Sequence, residues 1–258
     1  MNYIIFDLEF NQSLNSKKEN KNLTNLKCPF EIIQIGAVKL DENFQVISTI
    51  DKLVKPKLYT VMNPFVEEMT GIKIDILNKE QSFKEVYKDF LEFIGNNQSI
   101  LCVWGACDIK ELFRNIEYHN LDASSISKNY INIQWYASKY LNYPKGTSIG
   151  LKNAAELLNI NIENKFHNAL NDAYYTAEVF KKIPKKNVTI IKYDINKNMR
   201  RVRNTPKENI LDISKLIKQF EKMFNRKMSD EEQKIIKLAY MMGKTRQFEI
   251  PYSNDLKH

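Results

Sequence analysis

The chain has 258 residues, 43% of them hydrophobic and 27% charged, with a formal net charge of +8. That length allows one large domain with an appendage or two small ones, and the composition is that of an ordinary folded protein rather than a disordered or low-complexity one. No apolar run has the length needed to cross a bilayer and the N-terminus lacks the pattern of a secretory signal, so no membrane partner and a cytoplasmic location are expected.

The charge is divided unevenly. Residues 1 to 180 hold 19 Lys and Arg against 22 Asp and Glu, whereas residues 181 to 258 hold 20 against 9. An acidic body with a basic tail suggests a cation-holding site followed by a surface drawn to a polyanion. Cys28, Cys102 and Cys107 form neither an even disulfide set nor a C-x-x-C zinc pair, and read as reduced thiols with Cys102 in the core.

In chain order, Tyr3 to Phe6 is a buried-strand run that ends in Asp7-Leu8-Glu9. Side chains two apart share one face of a strand, so the two carboxylates stand side by side. Both stay ionised only with a cation between them, for which a divalent metal is the simplest solution; alternatively they mark a solvated strand end. Gln12 to Lys27 has no apolar period and reads as a loop. Glu31 to Leu40 and Phe44 to Val54 form a predicted hairpin around Asp41-Glu42-Asn43.

Asn63-Pro64 opens a helix that Gly71 stops, and Phe83, Val86, Tyr87, Phe90, Leu91 and Ile94 make the apolar stripe of a second helix ending at Gly95. Ser99 to Trp104 is a further buried strand. It runs into Asp108, which heads a helix over Ile109 to Asn120. An Asp there is often only an N-cap. A strand beside the first would also bring it to the edge that holds Asp7 and Glu9, where ligand sites of α/β sheets gather.

A short strand over Tyr130 to Ile133, a helix over Ser148 to Leu158 and a helix over about Ala169 to Ile183 complete the body. His167 and Asp172 stand at the start of this last helix, and the small Ala169 and Ala173 let it pack closely. Beyond it, Asn187 to Tyr193 is a candidate strand and Lys197 to Arg203 a basic cluster. Ile210 to Phe224 and a helix opened by the Ser229-x-x-Glu232 capping box follow. Strands in a meander followed by strands alternating with helices describe a mixed sheet flanked by helices.

D-x-E after the first strand, a single Asp after a later one and His167-x-Ala169-x-x-Asp172 at a helix start resemble the DEDDh family of 3'-5' exonucleases, which includes the proofreading subunit of bacterial DNA polymerase III and oligoribonuclease. Pro29 to Val38, Thr70-Gly71-Ile72 and Trp104-Gly105 make the sequence most similar to the branch of the histone-mRNA exonuclease and the sporulation inhibitor KapD. The resemblance covers about residues 1 to 184 and implies a ribonuclease H-like α/β domain there. A small basic helical extension over 185 to 258 follows it.

By the same likeness Asp7, Glu9, Asp108 and Asp172 would hold two Mg²⁺ or Mn²⁺ ions and His167 would be the general base. The expected substrate is single-stranded nucleic acid, RNA before DNA. Two ions about 4 Å apart suit phosphodiester hydrolysis, and an imidazole takes a proton near neutral pH. Phe10, Phe65, Trp104 and Trp135 are candidate base-stacking rings, each also explicable as packing. Arg200, Arg201 and Arg203 are candidate phosphate contacts. Asn11, where other branches often have Thr, receives no role. The alternative is a non-catalytic nucleic-acid- or protein-binding protein on the same fold, against which the five filled positions argue.

Overall fold

The computed structural model describes residues 1–14, 27–95, 99–144, 146–185, 188–194 and 212–244. Six strands form one mixed sheet: β1 Asn2–Gln12, β2 Phe30–Leu40, β3 Val46–Leu53, β4 Ser99–Val103, β5 Asn129–Asn132 and β6 Ile191–Lys192, in spatial order β3-β2-β1-β4-β5-β6. β1, β2 and β3 are antiparallel, as a hairpin meander must be, whereas β4 runs parallel to β1 and β5 parallel to β4. Parallel neighbours place their C-terminal ends at one edge of the sheet. That edge receives Asp7 and Glu9 from β1 and the residues that follow β4.

Strand alternation divides β1 between two cores. Ile4, Phe6 and Leu8 face one apolar cluster and Ile5 faces another. The first is covered by α3 Phe83–Ile94 and α4 Cys107–Tyr118, the second by α5 Ile133–Tyr140, α6 Leu151–Leu157 and α7 Ala169–Lys182. α3 shows why such a segment is helical. Its apolar positions recur at three and four, Ser82 and Glu85 cap each other's backbone at its start, and Gly95 closes it at φ 72°. Each of the fully buried Val86 and Phe90 side chains contributes about 1.5–3 kcal/mol of burial.

A third, small cluster joins Ile33, Met62, Val66, Ile72 and Leu77. It exists because the β1–β2 register shifts between Glu9 and Phe10, leaving Ile33 opposite no partner. A bulge of this kind re-aims one side chain. Ile33 thereby supports α1 Pro64–Thr70 and α2 Ile74–Leu77.

Several expectations needed adjustment. β1 continues through Gln12, which pairs with Phe30, so the predicted loop starts later than Gln12. Its residues 15–26 lie outside the described residues. Helices α2 and α5 were not foreseen. The apolar run of β5 passes into α5 with no Gly or Pro between them, and only the Asn132 side chain, accepting from the Trp135 N–H, marks the change.

The chain divides into two compact units, Met1–Ile195 and Asn196–His258. The expected boundary after residue 184 falls short of what packs on the first unit. β6 pairs antiparallel with β5, and the Tyr193 ring stacks on Phe113 with centroids 4.9 Å apart. In the second unit, α8 Ile213–Phe224 starts at the Asp212 cap, and α9 Asp230–Lys244 starts at the expected Ser229/Glu232 capping box. Among the described residues no helix is long and apolar enough to cross a membrane.

Candidate active site

Three elements converge on the sheet edge beyond β1 and β4. Asp7 and Glu9 alternate with Leu8, so both face α7 while Leu8 enters the opposite core. Asp108 lies in the first turn of α4 and is buried; the N-cap position is Ala106, so Asp108 is not the cap residue that its place before a helix had suggested. Asp172 stands in the first turn of α7 and is 9% exposed, and His167 precedes that helix with its side chain exposed.

The two residues of the last motif are tied together. His167 adopts φ 66° and its backbone N–H donates to Asp172 Oδ2 at 3.1 Å. A left-handed conformation is uncommon for a residue with a Cβ, though His is among those enriched there, and such conformations gather at functional sites. It turns the chain so that the His167 ring and the Asp172 carboxylate address one point. Candidate ligand atoms of Glu9, His167 and Asp172 all lie within 4.8 Å of one another.

Electrostatics show that the four acids share this space. Burial, then Asp108, Asp172 and Glu9, hold the Asp7 carboxyl well above the usual range. Burial, with Asp172 and Asp108, pushes Glu9 up to about 8. Burial raises Asp108 to about 7, Asp172 and Glu111 adding to it while a backbone hydrogen bond opposes. Asp172 is raised by burial against the lowering effect of its His167 partner. Without a cation these carboxylates are frustrated.

A divalent cation fits the donor set. Among the described residues Asp172 Oδ1, which is buried, has no hydrogen-bond partner, a costly state for a carboxylate oxygen unless something cationic meets it. Hard oxygen donors with one imidazole suit Mg²⁺ or Mn²⁺ better than a thiophilic metal.

The close approach of α7 depends on residues to which the sequence had assigned no role. Gly36 lies opposite Asp7 in the ladder, and a Cβ there would fall on the backbone of Ala169 and Leu170. A glycine inside a β-branched strand signals such an approach. Gln34, opposite Glu9 and 2% exposed, accepts from the Ala169 N–H at 3.2 Å and donates to Asp51 Oδ1 at 2.8 Å. It holds the start of α7 against β2, and a polar residue within Ile32 to Val38 was the available signal.

The candidate rings separate. Phe65, in the first turn of α1, is 65% exposed, and Trp135 is 52% exposed with Lys139 Nζ 5.5 Å from its ring. Phe10 is half-buried and packs beside Phe30 on the first core, and Trp104 is half-buried against the second with Nε1 unpartnered. The His119 ring packs 4.9 Å from that of Phe83. Arg200, Arg201 and Arg203 lie outside the described residues.

The sequence matches the family described as Exonuclease (RNase_T) over residues 4–180. It is 31% identical over 181 residues to the DNA polymerase III PolC-type of Clostridium perfringens, a match that covers 69% of this chain and 11% of the polymerase. It is 30% identical over 150 residues to that of Thermotoga maritima, covering 58% and 10%. The chain thus spans about a tenth of the length of these relatives.

Among solved structures, the fold is similar to the nuclease domain of 3'hExo, a DEDDh family member bound to rAMP. The TM-score is 0.63 and the identity 20%, with 75% of this chain and 97% of that one covered. Exonuclease I is similar at TM-score 0.54 and 18% identity, over 70% and 41%. With the ribonuclease H-like sheet, the converging acids and a family match over most of its length, the chain belongs to the exonuclease family.

Proposed function

We propose that the protein is a divalent-metal-dependent 3'-5' exonuclease that releases nucleoside 5'-monophosphates from single-stranded nucleic acid, RNA in preference to DNA. The observation that carries this reading is geometric: candidate ligand atoms of Glu9, His167 and Asp172 lie within 4.8 Å of one another, with Asp7 on the same face of β1 as Glu9 and the buried Asp108 in the first turn of α4. The preference for RNA draws support from two similar folds, one solved with rAMP and one described as a 3'-exonuclease recognising a histone mRNA stem-loop.

In this reading Asp7, Glu9, Asp108 and Asp172 hold two Mg²⁺ or Mn²⁺ ions. When bound, the ions polarise the phosphodiester and offset charge on the attacking and leaving oxygens. His167 reaches the site from an exposed position and accepts the proton of the attacking water at a ring nitrogen. The Asp172 carboxylate, receiving the His167 N–H, fixes the turn that presents the imidazole. Phe65 offers a face to a terminal base, and Arg200, Arg201 and Arg203 contact phosphates of a longer strand.

Digestion of matched 5'-labelled RNA and DNA oligonucleotides tests the proposal. It expects a ladder shortened from the 3' end, faster on RNA, dependent on Mg²⁺ or Mn²⁺ and abolished by Asp7→Ala. An undiminished ladder in Asp7→Ala would remove the catalytic assignment; equal rates on the two strands would remove only the RNA preference.

A further inference from the structure

Asn11 is completely buried and lies two residues beyond Glu9, about 7 Å farther along β1. A buried polar side chain at the end of a strand needs partners, and among the described residues those of the Asn11 side chain belong to one segment. Its Nδ2 donates to the carbonyls of Tyr59 at 2.9 Å and Val61 at 3.0 Å, and its Oδ1 accepts from the Asn63 N–H at 3.0 Å. Asn63 passes the constraint on. Its Oδ1 caps α1 by accepting from the Phe65 N–H at 3.1 Å, and its Nδ2 donates to the Ser13 carbonyl at 3.0 Å.

The upstream half of the segment is held as firmly. Glu31, 2% exposed, accepts from the backbone N–H groups of Lys57, Leu58 and Tyr59 at 2.6, 2.8 and 2.7 Å. Met62 and Val66 anchor it from below in the small third core. A segment so thoroughly tied to β1 and β2 nonetheless turns Val61 and Phe65 outward, 58% and 65% exposed. A ring held outward on a rigid support is a preformed stacking face, and the face of a nucleobase matches a phenyl ring regardless of base identity.

From this we infer that Asn11 is a positioning residue: it registers the Phe65 platform against the acids of β1, so that a terminal base stacked on Phe65 brings its phosphate to Asp7 and Glu9. This deepens the proposed function and rests on it. The amide identity follows from the contacts. Thr would supply one donor for two carbonyls, and Asp would set a carboxylate against both carbonyls while adding charge beside four strained acids.

The test is a double-mutant cycle in the full chain, with Asn11→Ala, Phe65→Ala and the double variant measured on a single-stranded RNA oligonucleotide. Each single change is expected to raise KM roughly tenfold, the loss of one stacked base, with kcat and Mn²⁺ affinity within about threefold of the parent. The double variant should be no worse than either single one. Should Asn11→Ala fail to fold, Asn11→Ser, which retains one donor, is read in the same way. Multiplying KM effects, or a loss of kcat at unchanged KM, would overturn the positioning role while an active parent keeps the nuclease reading. A parent that leaves the strand intact would overturn both.

Discussion

Carboxylates that repel one another in a partly dry pocket hold protons that free carboxylates would have released, and this has a signed consequence for stability. Glu9, raised to about 8, and Asp108, raised to about 7, bind protons more tightly folded than unfolded. Stability of the metal-free protein is therefore full below the ordinary carboxylate range and falls as pH rises through the raised values. Thermal melts between pH 5 and 8.5 should show a declining Tm in chelator, and Mn²⁺ should raise Tm more at pH 8 than at pH 6. Asp7→Asn should raise the metal-free Tm, because folding then no longer has to protonate this carboxyl or bury it as an anion, while abolishing digestion. For His167→Ala, single-turnover kinetics should show a rate about 10²- to 10⁴-fold lower at nearly unchanged binding, the range for loss of a general base. The acids and His167, which the structure brings together, could be picked out in the sequence by their types and spacing. Gly36, Gln34 and Asn11 could not, since each acts on backbone that is distant in sequence, such as Ala169 or Tyr59.

At the level of elements, the site depends on how closely α7 lies against β2. Gly36→Ala should push the start of α7 outward, costing about 1–3 kcal/mol as overpacking does. It should also depress activity, because His167 and Asp172 travel with the helix; urea denaturation and oligonucleotide digestion on one preparation would check both. The other end of α7 provides the contrast. Lys185 donates to the carbonyls of Phe180, Lys181 and Ile183 and lies over the Phe44 and Phe180 rings at 4.6 and 4.7 Å. Lys185→Ala should lower stability by about 1–2 kcal/mol yet leave kcat/KM unchanged, since it acts beyond the C-terminal end of α7 at Lys182, about 15 Å along the helix from Asp172. Amphipathic period and caps made most elements readable, including α1, α3 and the capping box of α9. Three features escaped: the four-residue α2, too short to show a period, α5, which continues an apolar strand without a break, and the bulge at Ile33, which only the pairing of β1 with β2 reveals.

For the whole molecule, the rise in basic residues along the chain, at a nearly constant density of acidic ones, sets the two units apart. The first unit carries the sheet, its cores and the site, and the second is a basic helical unit. A chain ending at Ile195 keeps β6 and Tyr193 with the nuclease unit, as a cut after Pro184 would not. It should cleave a dinucleotide at the full-length rate while binding long strands more weakly and with a shallower salt dependence. The claim on which everything else rests is that acids from β1, α4 and α7 form one cation site. Calorimetric titration of the metal-free protein with Mn²⁺ at pH 7.5, alongside Asp172→Asn, measures this directly. The parent is expected to bind two ions with release of protons and the variant to lose at least one; a parent that binds none, or a variant that binds identically, would contradict a shared cation site.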